Sequence, residues 1–125
     1  MKKLVLGLML LGLSFGAGAA CSTKSLSGSY GFGAVSSSSN GNCASIGTIM
    51  FTGKGTAAIS IESGCGGEVG INQLSGTYEV GVYCVGEVDA EDGTKAYFVF
   101  DKALKAGQIF VSQNKSIAFG TIFKQ

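Results

Sequence analysis

Ile49-Met50-Phe51-Thr52-Gly53-Lys54-Gly55-Thr56-Ala57-Ala58-Ile59-Ser60-Ile61 decides the fold. On each side of a Gly-Lys-Gly reversal, apolar residues stand at every second position, which is the period of a strand with one buried face. Ile49 and Phe51 share one face of the first strand, and Ala57, Ile59 and Ile61 share one face of the second. Glycines on both sides of Lys54 supply the freedom a tight hairpin turn needs.

Outward from this hairpin the same pattern repeats. Strands are predicted over 27–36, 44–52, 55–62, 67–83, 85–91, 95–101, 107–113 and 116–124, separated by short Gly-, Ser-, Asn- or Asp-containing links, and no stretch sustains helical spacing. Strands joined by such short links are antiparallel neighbours. Eight of them in a meander close into an up-and-down β-barrel that leaves no sticky edge. A two-sheet β-sandwich has the same local pattern and is the alternative.

The chain begins with Met1-Lys2-Lys3, an apolar run from Leu4 to Phe15, and the small residues Ala17-Gly18-Ala19-Ala20. That order is the pattern of a signal peptide over 1–20, which leaves 21–125 as a single barrel domain. An exported chain, periplasmic or extracellular, meets oxidising conditions, and Cys21, Cys43, Cys65 and Cys84 form an even set behind the cleavage point. In the meander, Cys21 and Cys84 fall at one end of the barrel and Cys43 and Cys65 at the other. Like ends pair, so Cys21–Cys84 and Cys43–Cys65 are the expected disulfides. Alternatively, Gly18-Ala19-Ala20-Cys21 is a lipoprotein box that anchors the chain at Cys21, at the cost of leaving Cys84 unpaired.

After residue 20, seven lysines face eight carboxylates. A balance so near neutral predicts no electrostatic footprint for nucleic acid or an anionic membrane. No apolar run after Phe15 reaches the roughly 18 residues of a membrane-spanning helix. The chain contains no His, Arg, Trp or Pro. Without His it lacks the usual general base and commonest metal ligand, and without Arg the bidentate clamp for phosphate or carboxylate. The expectation is therefore a non-enzymatic protein without cofactor, a barrel-interior cyclase or isomerase being the minor alternative.

Cys21-Ser22 ahead of Leu26-Ser27-Gly28-Ser29-Tyr30-Gly31-Phe32, then Phe51-Thr52-Gly53-Lys54-Gly55, then Ser75-Gly76-Thr77-Tyr78 with Cys84 shortly after, resembles a group of small exported bacterial proteins. These look like calycin-type barrels, similar in shape to lipocalins and allene oxide cyclases. The resemblance implies the barrel and supports the Cys21–Cys84 pair. It carries over no catalytic residue, and Cys43 and Cys65 stand outside its pattern.

Two regions are candidates for function. Tyr30, Phe32, Phe51, Tyr78, Phe98 and Phe119 are expected to face inward and either fill the barrel or line a site for one small apolar ligand, with a tyrosine hydroxyl of Tyr30 or Tyr78 orienting it. The last strands are apolar on both faces. Tyr97, Val99, Phe110 and Ile122 are therefore expected outside, as a protomer interface or as a surface covered by the segment before the first strand.

Other features have plainer readings. Glu87, Asp89 and Glu91 alternate along a strand with Asp92 and Asp101 nearby, which makes a solvated stripe rather than a cation cage. Gly53-Lys54-Gly55 lacks the Ser or Thr and the helix of a phosphate loop, and Asn114-Lys115-Ser116 reads as a turn. Leu26-Ser27-Gly28-Ser29-Tyr30 recurs as Leu74-Ser75-Gly76-Thr77-Tyr78, a corner glycine with an aromatic two residues on, which suits a strongly curved sheet. The sequence thus predicts an exported binding module for a small apolar molecule, the alternative being a structural or cell-surface assembly protein that uses its outer C-terminal face.

Overall fold

The computed structural model describes residues 21–38, 41–65, 68–113 and 116–125, with the backbone alone described at 37, 38, 41, 65, 68, 69 and 116. The expected signal peptide and Asn114-Lys115 lie outside the described residues. Eight strands follow one another: β1 Ser27–Ser38, β2 Gly41–Thr52, β3 Thr56–Cys65, β4 Glu68–Val80, β5 Val85–Ala90, β6 Lys95–Phe100, β7 Ala106–Gln113 and β8 Ser116–Lys124. Each pairs antiparallel with the next, and β1 also pairs with β8 from Tyr30↔Lys124 to Val35↔Phe119. The barrel is closed, so the meander holds and the sandwich is excluded.

Closure depends on a residue without a side chain. A Cβ at Gly120 would lie 1.6 Å from the Gly33 carbonyl oxygen across the β1–β8 seam. Only glycine lets the last strand lie this close to the first.

One end of the barrel, here called the base, holds the β2–β3, β4–β5 and β6–β7 turns and the C-terminal end of β8. The segment before β1 plugs it. A 3-10 turn at Thr23–Ser25 is fixed by reciprocal capping, Ser22 Oγ accepting from Ser25 N–H and Ser25 Oγ from Ser22 N–H. It delivers Leu26 into full burial. The Cys21–Cys84 disulfide, with Cα atoms 5.1 Å apart, joins this plug to the β4–β5 turn as expected. Cys43 is disulfide-bonded and stands directly opposite Cys65 in the β2–β3 register.

Above the plug, Tyr30, Phe51, Tyr78, Phe98 and Phe100 form a ring cluster with centroid separations between 4.8 and 5.8 Å. Such edge and tilted pairs are each worth about 0.5–1.5 kcal/mol beyond their burial. Above this aromatic layer the interior turns aliphatic, with Ile49, Ile59, Ile61, Val88, Ile109 and Val111.

Candidate functional site

The aliphatic upper half of the barrel contains a cavity lined by Phe32, Ile49, Ile59, Ile61, Leu74, Val88, Ala90, Thr94, Ala96, Ile109 and Val111. It offers about 20 Å³ for the centre of a water molecule, where roughly 10–15 Å³ suffices for one water. The wall above it is uneven. β4 runs from Glu68, whereas its pairing with β5 begins only at Gly76↔Ala90, and β5 and β6 are joined by the low turn at 91–94.

Thr94 sits behind that turn. Its backbone is satisfied: the N–H donates to Asp92 Oδ1 at 2.9 Å and the carbonyl accepts from Ala90 N–H at 2.8 Å. Its hydroxyl is buried against the cavity without a hydrogen-bond partner, and its residue is only 5% exposed. Among the described residues it is the one buried side chain whose polar atom has no partner. A hydroxyl held this way both donates and accepts, so one polar group of an entering molecule would relieve it. Sequence reasoning missed Thr94 as part of a turn. The signal was present, because Thr94, Ala96, Phe98 and Phe100 share one strand face.

The expected interior residues divide. Tyr30, Phe32, Phe51, Tyr78 and Phe98 face inward, but only Phe32 lines the cavity. The other four fill the lower half. Neither tyrosine hydroxyl is available to orient a ligand, contrary to expectation. Tyr30 Oη donates to Leu104 O, and burial, followed by the nearby Asp101 carboxylate, raises its pKa above the ordinary 10.0. Tyr78 Oη accepts from Gly53 N–H at 2.7 Å and lies 2.7 Å from Leu26 O and 3.1 Å from Thr23 O. Both hydroxyls tie turns and plug to the barrel wall, which gives the Gly-x-Tyr repeat a structural role.

Phe119 is outside, 63% exposed, and Ile122 is fully buried, the reverse of what was expected for both. The strand was placed correctly but its faces were exchanged, because residues of opposite parity on one strand swap together. Tyr97, Val99 and Phe110 do lie on the outer wall. Phe110 stacks on Tyr97 at 5.0 Å and meets Phe119 at 5.9 Å. Phe119 in turn pairs with exposed Val35 across the seam. The plug lies at the base and not over this row, so the expected cover from the segment before β1 is absent among residues 21–26.

The acidic residues form an exposed surface. Lys95 Nζ bridges Asp89 at 2.8 Å and Glu87 at 3.6 Å, and the Lys95 hydrogen bond holds the Asp89 carboxyl below its usual range. Glu91 accepts from Ser75 N–H, and Asp101 from Lys105 N–H.

No family model and no curated protein sequence matches this chain. Among solved structures the chain is similar to a de novo designed fluorescence-activating beta barrel. The two share 14% sequence identity with a TM-score of 0.50, over 82% of this chain and 96% of the designed one. That likeness concerns the closed eight-stranded barrel and no side chain. The disulfide is consistent with an oxidising, exported compartment. Its use of the Cys21 sulfur excludes a lipid thioether at the same atom. Among the described residues no helix is long and apolar enough to cross a membrane.

Proposed function

We propose that this protein is a non-enzymatic, exported, calycin-like binding module for a small, largely apolar molecule bearing one polar group. The unpartnered Thr94 hydroxyl on an aliphatic cavity carries the reading. The ligand enters over the low β5–β6 turn, packs against Ile59, Ile61 and Val111, and hydrogen-bonds to Thr94 Oγ1. Leu74 and Ala90, both only half-buried at the upper rim, move apart to admit anything larger than a few atoms. The designed barrel of similar shape is described as fluorescence-activating, which supports the capacity of such an interior for small molecules.

Titration with an environment-sensitive dye and a medium-chain alcohol tests this. Saturable one-to-one binding is expected, and Thr94→Val should weaken the alcohol by up to about tenfold, the value of one neutral hydrogen bond. Absence of saturable binding overturns the proposal.

A second reading rests on the uncovered row Tyr97, Phe110, Phe119 and Val35: a structural protein that assembles through its outer wall. Light scattering that reports a strict monomer at high concentration would dismiss it.

A further inference from the structure

The near-neutral charge balance conceals a segregation. Five of the seven lysines after residue 20 lie at the base, and all five are exposed. Lys24 is in the plug, Lys54 in the β2–β3 turn, Lys102 and Lys105 in the β6–β7 connection, and Lys124 ends β8. Neighbouring contacts confirm that they share this end: Lys124 N–H donates to Lys105 O at 2.7 Å, and a Cβ at Gly53 would lie 3.5 Å from Lys24 O.

Among the described residues Glu79 and Asp101 oppose them there, with Glu87 directly across from Glu79 in the β4–β5 register, and the Asp101 carboxylate accepts the Lys105 N–H. Glu87 and Asp89 are bridged by Lys95, and Glu62, Glu68, Glu91 and Asp92 lie toward the other end. Among the described residues both ion pairs belong to Lys95, so the base lysines have no carboxylate partner.

The same end presents an apolar tip. In the β4–β5 turn Tyr83 is 86% exposed and Val82 61% exposed. The tip is held firmly, by the Cys21–Cys84 disulfide, by Cys21 N–H on Val82 O, and by Phe100 N–H on Cys84 O at 2.9 Å.

We propose that the base docks on an anionic phospholipid bilayer, with the lysines over the phosphates and Tyr83 and Val82 in the interfacial zone. Lysines spread around a rim suit a diffuse plane of charge, whereas they offer no forked geometry for a particular carboxylate. Tyrosine carries an apolar ring and a polar tip, the combination that settles at a membrane interface. The acidic residues do not cancel the attraction. Five lysines outnumber Glu79, Glu87 and Asp101 at this end, and Lys95 bridges Glu87 and Asp89.

The test is sedimentation of the oxidised, processed protein with vesicles of phosphatidylcholine alone or mixed with phosphatidylglycerol. Binding is expected only to the mixed vesicles and should vanish near 1 M salt, where screening acts within about 3 Å. Lys102→Gln with Lys105→Gln should weaken it about 30-fold, at about fivefold per lysine. Tyr83→Ser should weaken it further. Equal binding to both vesicle types, no binding at all, or insensitivity to the lysine variants overturns the proposal. So does self-association at low salt that depends on these lysines without lipid, which would make a second copy's acidic end the partner.

Discussion

Three side chains of similar chemistry have different tasks in this barrel. Tyr30 and Tyr78 hold the base together through their hydroxyls, whereas Thr94 keeps a hydroxyl with no partner in an aliphatic layer. Leaving a buried hydroxyl unsatisfied costs about 1–3 kcal/mol. Thr94→Val, which keeps the shape, should therefore stabilise the free protein and raise Tm by at least about 4 °C, while it weakens ligand. Calorimetry on one sample with and without the alcohol measures both effects. Tyr30 gives a pH signature. Its folded-state pKa is raised, so the native state keeps its proton longer than the unfolded chain. The contribution is complete below the unfolded value of 10.0 and is lost as pH rises through the folded one. Thermal unfolding should thus fall steeply above pH 10 in the natural protein, and less steeply in Tyr30→Phe.

Among the elements, β8 is the most instructive. Ile117, Phe119 and Phe123 on one side and Ile122 on the other give it no polar face. Alternation then cannot fix which residues turn inward, and a one-step error moves every side chain. What fixes the phase is the seam, where Gly120 passes the Gly33 carbonyl. Gly120→Ala should cost about 3 kcal/mol or more through backbone displacement. Gly33→Ala, whose new methyl would meet only Ile46 Cγ2 at 3.8 Å, should change stability little. Urea melts of the two variants provide the comparison. The plug behaves as a second separable element. Cys21 and Cys84 are 63 residues apart, and a loop of that length implies about 4 kcal/mol in the chain-entropy model. Cys21→Ser with Cys84→Ser should lower stability by about that amount, measured by the same melts.

At the scale of the whole molecule, the cysteines offer a check on topology. Peptide mapping of the oxidised protein should recover Cys43 linked to Cys65, since both stand at the end opposite the base in one register pair. A link from either to Cys21 or Cys84 would contradict the closed meander. Charge is the property that most needed three dimensions. Lys24, Lys54, Lys102, Lys105 and Lys124 are scattered along the chain, and only antiparallel reversal gathers them at one end.

The sequence alone determined the strand order, the hairpin turns, the inward faces of β1, β2 and β3 together with Tyr78 and Phe98, and the Cys21–Cys84 pair. The strands and turns follow from local rules, because a two-residue period and the length of a turn are encoded within a few neighbouring positions, and the disulfide follows from the meander that they imply. The tertiary structure decided which face of β8 turns inward, where the tyrosine hydroxyls bond, that Thr94 stands alone at the cavity, and that the lysines share one end. Each of these depends on groups far apart in the chain, and their spacing becomes a distance only once the last strand has closed on the first.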